Sequence, residues 1–284
     1  MTSQIHGFIA LLRPKHWIKN VVVLLPLFFS SSFLDRSAVL DALLGFIFFS
    51  LSASSVYVVN DLVDVERDRQ HPIKRQKRPI AAGIISPPTA IAILVVLYIF
   101  VGLSYFFSMK FMIAILGYMA LNLAYSFYLK HQPILDIFTV AAGFMLRIYA
   151  GAQAIDVPLS SWMLITALSL SLYLASVKRL QEIRLQGTKG RDVLSNYSPR
   201  LVERYAEFSA ISALVFYSLY CLTEHEGLIL TIPLALFGMF RYWFLVDQES
   251  QGESPVDVVY TDIPMQITLI AWIVFILVEL WPKG

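Results

Sequence analysis

The chain has 284 residues, 57% of them apolar and only 15% charged, with a formal net charge of +2. A soluble domain carries about 25% charged residues, so this composition indicates a membrane-embedded chain, and its near-neutral balance offers no broad basic field for nucleic acid. Cys221 is the only cysteine and lies in an apolar run, which excludes an internal disulfide and a cysteine metal cluster and predicts a buried thiol.

A membrane-crossing helix needs about 20 mostly apolar residues. The basic segment Arg13, Lys15 and Lys19 precedes an apolar stretch without a small-residue cleavage site before Asp35, so no cleavable signal is expected and Ile18 opens a retained span. Nine stretches follow, at 18–34, 38–59, 89–107, 111–128, 134–152, 162–177, 205–222, 228–246 and 265–281. Pro26 lies inside the first, which predicts a kink. Of the 22 Lys and Arg residues, 18 fall in one alternating set of connections and 3 in the other, with Arg147 inside the fifth stretch. By the positive-inside rule, the N-terminus and the long loops at 60–88 and 178–204 face the cytoplasm. The expected architecture is all-α, a single domain over 1–284 with nine transmembrane helices and cytoplasmic cap loops.

The first long loop opens with Asn60-Asp61-Leu62-Val63-Asp64-Val65-Glu66-Arg67-Asp68. On a helix, Asp61, Asp64 and Asp68 share one face and repel each other unless neutralised. A hard divalent cation, Mg²⁺ carrying a phosphate ligand, is the simplest neutraliser; a solvated acidic helix end is the plainer alternative. Asn60 could orient a metal-bound water or a ligand oxygen, or satisfy backbone groups at the helix end. Lys74, Arg75, Lys77 and Arg78 follow, between Pro72 and Pro79, which would bend the segment back towards a pocket. These cations suit phosphate, and they also suit topology and anionic headgroups.

At the end of the sixth stretch stand Tyr173, Lys178, Arg179 and Glu182. Lys178 and Glu182 are spaced to pair, while Arg179 could grip phosphate bidentately. Arg191, Asp192 and Tyr197 form a second polar cluster, and either cluster could meet the first loop across a shared cavity. Lys130 could reach anionic groups or snorkel towards lipid phosphates. Arg147, a guanidinium within a span, is a functional candidate by default, and Asp136 could line a cavity or stabilise a helix N-terminus. Arg13, Lys15, His16, Trp17 and Lys19 read as an interfacial anchor or as a basic rim for an anionic lipid. The five histidines show no zinc spacing, and no GxSxG, GxGxxG or Walker sequence occurs. Hydrolase triads, dinucleotide redox and ATP-driven pumping lose weight accordingly.

NDLVDVERD matches NDxxDxxxD, and Tyr125 to Lys130 matches YSxxLK. On these motifs the chain resembles the UbiA superfamily of intramembrane prenyltransferases over nearly its whole length. The family's second aspartate-rich motif, DxxxD, has no counterpart; KRLQE at Lys178 to Glu182 and RDVL from Arg191 stand in that region. With the LRPKHWIKN opening, the HPIKRQKRPIAAG run, and Pro255-Val256-Asp257 with Asp262, this pattern is similar to a phosphoribosyl-transferring branch of the family. The resemblance implies phosphoribosyl diphosphate as donor, a polyprenyl phosphate as acceptor, Mg²⁺ on Asp61, Asp64 and Asp68, and catalytic roles for Asp61, Asp64 and Lys178. It implies substrate contacts from Lys19, Asn60, Lys74, Arg78, Tyr125, Lys130, Arg147, Arg179, Glu182, Arg191, Tyr197 and Asp257. It further implies a bacterial plasma membrane, lipid contacts and cell-wall biosynthesis, with homo-oligomerisation left open. Two alternatives stand beside it: prenyl transfer from a prenyl diphosphate to an aromatic or other acceptor, and a lipid or metabolite transporter.

Overall fold

The computed structural model describes residues 2–70, 74–186, 192–248 and 261–281, and every regular element among them is helical. In chain order these are α1 (Thr2–Leu12), a 3₁₀ segment (Pro14–Leu24), α2 (Leu25–Phe29), α3 (Arg36–Val63), α4 (Val65–Gln70), α5 (Lys74–Lys77), α6 (Pro87–Phe107), α7 (Met109–Phe127), α8 (Leu135–Ala154), α9 (Ser161–Gln186), α10 (Pro199–Glu224), α11 (Ile232–Gln248) and α12 (Ile263–Glu279). Short 3₁₀ turns at Leu129–His131, Asp192–Asn196 and Glu226–Thr231 connect them. Several helices start where a short polar side chain satisfies orphan N–H groups: Asp35 before α3, Ser86 before α6, Ser198 before α10 and Asp262 before α12.

Among the described residues, seven helices are long and apolar enough to cross a membrane, and the apolar α12 is shorter. Large apolar side chains cover their outer faces, with Phe106 83% and Phe208 75% exposed. In water such surface would drive association; in a multi-pass membrane protein it meets lipid.

The first expected span differs from the sequence reading. Residues 14–24 wind as a 3₁₀ helix, and only Leu25–Phe29 is α-helical. Pro26 therefore sits in the first turn of α2, where its missing N–H costs nothing, and makes no mid-helix kink.

The chain divides into two compact units, Met1–Ser126 with Leu146–Val157, and Phe127–Met145 with Pro158–Gly284. In the first, α3 is the central element. Phe49, Ala53 and Val56 pack with Val23, Val101, Phe111, Ile115 and Tyr118, while Val58 joins Leu11, Ile80, Ile85, Ala90 and Leu97 nearer the polar end. In the second unit, Tyr173 and Val177 of α9 pack with Ala206, Tyr242, Leu245 and Met265, and Leu180 packs with Ile137, Val193, Tyr197 and Val202.

The 3₁₀ segment lies antiparallel along one polar stripe of α3. Ser50, Ser54, Tyr57 and Asp61 recur at helical spacing and so share a face. Asn20 donates to Ser50 (3.1 Å), Trp17 to Ser54 (3.0 Å), and Arg13 to Asp61 (2.6 Å). The ring of His16 stands edge-on to Tyr57 at 5.3 Å. Close approach on the other side depends on Gly151: a Cβ there would lie 1.9 Å from the Val23 carbonyl oxygen.

Candidate functional site

The acidic motif closes α3. Asp64 is its C-cap, in a turn at φ −89°, and α4 resumes at Val65. Three carboxylates within two turns repel, and aspartate competes with the helix for its own backbone, so the uniform helical face expected from the sequence is interrupted here. The bonds from Asp64 N–H to Asn60 O (2.9 Å) and from Asp68 N–H to Asp64 O (2.8 Å) nevertheless carry the chain across. Asp61 and Asp68 end up buried, at 2% and 1% exposure, while Asp64 and Asn60 are half-buried.

Cations surround the buried pair. Asp61 Oδ1 accepts from Arg13 and, in a very short contact, from Arg78. Arg78 also lies 3.4 Å from Asp68 Oδ2, without hydrogen-bond alignment, and Lys74 Nζ is 3.7 Å from Asp68 Oδ1. Arg78 is brought back by a tight fold after α5, in which Ile84 and Ile85 N–H both donate to the Pro79 carbonyl and Gly83 takes φ +73°. Two buried oxygens, Asp61 Oδ2 and Asp68 Oδ2, have no hydrogen-bond partner. Leaving such atoms unsatisfied costs about 1–3 kcal/mol each, more when charged, so they are ready to bind a ligand. Among the described residues no three His, Cys, Asp or Glu side chains converge into a protein-only metal cage. The donor set fits Mg²⁺ all the same, because that ion typically takes one or two carboxylates and fills its remaining positions with phosphate oxygens and water.

Arg13, which the sequence places in an interfacial anchor or basic rim, pairs with Asp61 in this cluster. It stands 48 residues from Asp61 in sequence, its guanidinium also lies 4.8 Å over the Tyr57 ring, and it takes the left-handed conformation, φ 53°. Arg147 is explained by its surroundings: Nε donates to Asn20 Oδ1 (2.9 Å), Nη2 to Tyr118 OH (3.0 Å), and the Tyr118 ring lies 4.7 Å away. The intramembrane charge thus clamps the 3₁₀ segment.

In the second unit, a different polar group forms. Arg179 donates to Asp136 Oδ2 (2.6 Å) and Glu182 (2.7 Å), and Tyr197 donates to Asp136 Oδ1 (2.7 Å). Burial pushes the Tyr197 phenol well above its ordinary pKa, so it stays protonated as a donor. Tyr197 oxygen also accepts from the N–H of Ile134, a β-branched residue held at φ 69°. Lys178 is half-buried on α9, and Lys130 half-buried on the turn Leu129–His131. Tyr125, in the first unit, is half-buried near the end of α7, and Lys19 is exposed on the 3₁₀ segment. Arg191 and Asp257 lie outside the described residues. Arg241 forks onto Asp262 at 2.7 and 3.1 Å, holding its carboxyl below the usual range. Cys221 is buried.

A helical membrane fold whose first long loop presents a buried, cation-ringed aspartate pair defines a class, and the match over residues 21–278 places it: the chain belongs to the UbiA prenyltransferase family. Its relatives include decaprenyl-phosphate phosphoribosyltransferases. The one from Corynebacterium glutamicum is 36% identical, over 97% of this chain and 87% of the relative; that from Mycolicibacterium smegmatis is 34% identical, over 95% and 91%. Among solved structures, a UbiA homologue from Archaeoglobus fulgidus bound to GPP and Mg²⁺ superposes with a TM-score of 0.69 at 20% identity, covering 96% of this chain and 99% of its own. A digeranylgeranylglyceryl phosphate synthase superposes at 0.71 and 18% identity, covering 98% and 99%. At these identities the structural likeness speaks for the fold.

Proposed function

We propose that this chain transfers a 5-phosphoribosyl group from phosphoribosyl diphosphate to a polyprenyl phosphate, with Mg²⁺, at the cytoplasmic face of a bacterial plasma membrane. The observation that carries the reading is the Asp61/Asp68 pair, in which two buried oxygens lack a hydrogen-bond donor while Arg13, Arg78 and Lys74 supply cations for a phosphate-rich donor. The near-full-length likeness to decaprenyl-phosphate phosphoribosyltransferases supports this donor and acceptor.

Asp61 and Asp68, with the half-buried Asp64 acting through water, would hold Mg²⁺, which when bound supplies charge neutralisation to the leaving diphosphate. Arg13, Arg78 and Lys74 bind the diphosphate oxygens and hold them as charge develops, the kind of stabilisation that contributes most in a water-poor site. The C1–O bond to diphosphate breaks, ribose C1 takes on oxocarbenium character, and a lipid phosphate oxygen bonds C1 from the opposite face. Polyprenyl-phosphoryl phosphoribose and diphosphate result. The nucleophile is already ionised at neutral pH, so no strong base is required. In the second unit, Arg179, Asp136, Glu182 and Tyr197 hold the end of α9 that carries Lys178.

Nine crossings complete the topology in this reading. α12 covers about 26 Å, and Pro14–Phe29 covers about 30 Å because a 3₁₀ helix rises about 2.0 Å per residue. The excess of Lys and Arg on one set of connections supports a cytoplasmic N-terminus.

The test is an assay of the purified protein with labelled phosphoribosyl diphosphate and polyprenyl phosphate, with and without Mg²⁺. Metal-dependent appearance of a labelled lipid is expected. Transfer solely from a prenyl diphosphate would sink the reading.

A further inference from the structure

We infer that Arg13 and Arg78 act as a charge lock on Asp61, making metal binding at this cluster conditional on diphosphate; the inference rests on the metal and diphosphate roles proposed above. One carboxylate oxygen, Asp61 Oδ1, takes both guanidiniums while Oδ2 takes none. The carboxylate is 1% exposed, and the two arginine side chains only 20% and 23%. Such a pair is poorly screened by water.

The formal charges explain the conditionality. Arg13, Arg78 and Lys74 pair with Asp61 and Asp68, and the motif's three carboxylates, Asp64 included, match these three cations in number before any ligand arrives. A divalent cation entering alone would leave two uncompensated positive charges beside three fixed cations. Diphosphate entering alone would put a polyanion beside the carboxylates. Together their charges largely cancel, and the arginines gain phosphate oxygens as Asp61 gains a metal. Coupling of this kind is reciprocal: whatever factor diphosphate adds to metal affinity, the metal adds to diphosphate affinity.

Arg13 makes the lock dependent on the first segment of the chain. Its guanidinium is delivered by a 3₁₀ segment held through Trp17 to Ser54, through Asn20 to Ser50 and Arg147, and by the close approach at Gly151. These are positioning residues for the cluster.

The experiment uses full-length protein in nanodiscs, with Mn²⁺ as probe and inorganic diphosphate as ligand. Bound metal is read from the loss of the free Mn²⁺ paramagnetic resonance signal, corrected for the Mn²⁺–diphosphate complex in solution. In the unsubstituted protein, saturating diphosphate should raise Mn²⁺ affinity at least about tenfold, a coupling of about 1.4 kcal/mol. Arg13→Gln and Arg78→Gln should each tighten Mn²⁺ binding without diphosphate and shrink the coupling. Arg13→Lys and Arg78→Lys, which keep the charge, should preserve most of it and guard against a folding artefact. Equal Mn²⁺ affinity with and without diphosphate overturns the lock while leaving the metal site in place. Loss of the coupling in the Lys variants as well overturns the charge argument. Failure to bind Mn²⁺ in any variant, even with diphosphate, overturns the metal role and the lock with it.

Discussion

Two buried arrangements of aspartate and arginine, one in each unit, are built from the same side chains and end in different states. Around Asp136 the bonding is complete: one carboxylate oxygen serves Arg179, the other serves Tyr197, and Arg179 is shared with Glu182. Around Asp61 and Asp68 it is incomplete: Asp61 Oδ1 takes two guanidiniums, while Asp61 Oδ2 and Asp68 Oδ2 lack a hydrogen-bond donor. A closed network fixes a helix end. An open one leaves carboxylate oxygens without donors, which a ligand can engage. Burial of an ion pair alone therefore does not distinguish the two; the carboxylate oxygens left without a donor do.

This contrast is broken most sharply at Asp61. Asp61→Asn and Asp64→Asn should each lower metal-dependent turnover by roughly 10²–10³-fold or more, the scale at which loss of one preorganised charge-stabilising group is felt. Membrane insertion should persist, checked by a monodisperse profile in detergent; near-normal turnover in both variants would remove the metal role. The closed network should answer in the opposite currency. Arg179→Met strands Asp136 in the interior and should lower stability by about 3–5 kcal/mol in thermal unfolding, whereas adding Asp136→Leu should recover much of that loss. No recovery in the double variant would mean that Arg179 acts outside the pair.

Gly151→Ala tests how the open site is assembled. A Cβ 1.9 Å from the Val23 carbonyl forces the 3₁₀ segment outward, and the expected destabilisation is about 1–3 kcal/mol. A matching loss of donor affinity would tie the segment to Asp61; a stability loss with unchanged affinity would uncouple them. The smallest effect is expected at Asp262. Its folded carboxyl titrates below the unfolded value of about 3.9, so the stability it contributes is present above that pH and is lost as pH falls through the folded value. Asp262→Asn should lower stability slightly at neutral pH and leave it nearly unchanged at the acid end, which flattens the acid limb of the unfolding curve.

Much of this was legible from residue order. Apolar runs mark the helices because lipid leaves a chain no other way to satisfy its backbone, and seven of the expected spans recur at nearly the expected places. NDxxDxxxD announced the cluster because carboxylates at that spacing need a counter-charge. The counter-charge itself was only half visible: Lys74 and Arg78 are neighbours in sequence, but Arg13 is 48 residues away, and nothing local shows that it turns at a positive φ to reach Asp61. Arg179 illustrates the opposite failure. Its fork suits phosphate by residue type alone, and residue order does not show that Glu182 and, 43 residues earlier, Asp136 accept from it. The 3₁₀ winding of Pro14–Leu24 was equally hidden, since its hydrogen-bond partners Ser50, Ser54 and Arg147 come from distant helices.

That winding sets a length. Eleven residues at about 2.0 Å each reach some 5 Å farther than the same residues coiled as an α-helix. The extension exceeds the 2.6 Å that separates Arg13 from Asp61, so recoiling the segment would withdraw the guanidinium from the carboxylate. The first segment is thus a gauge whose pitch, as well as its side chains, holds a charge in place.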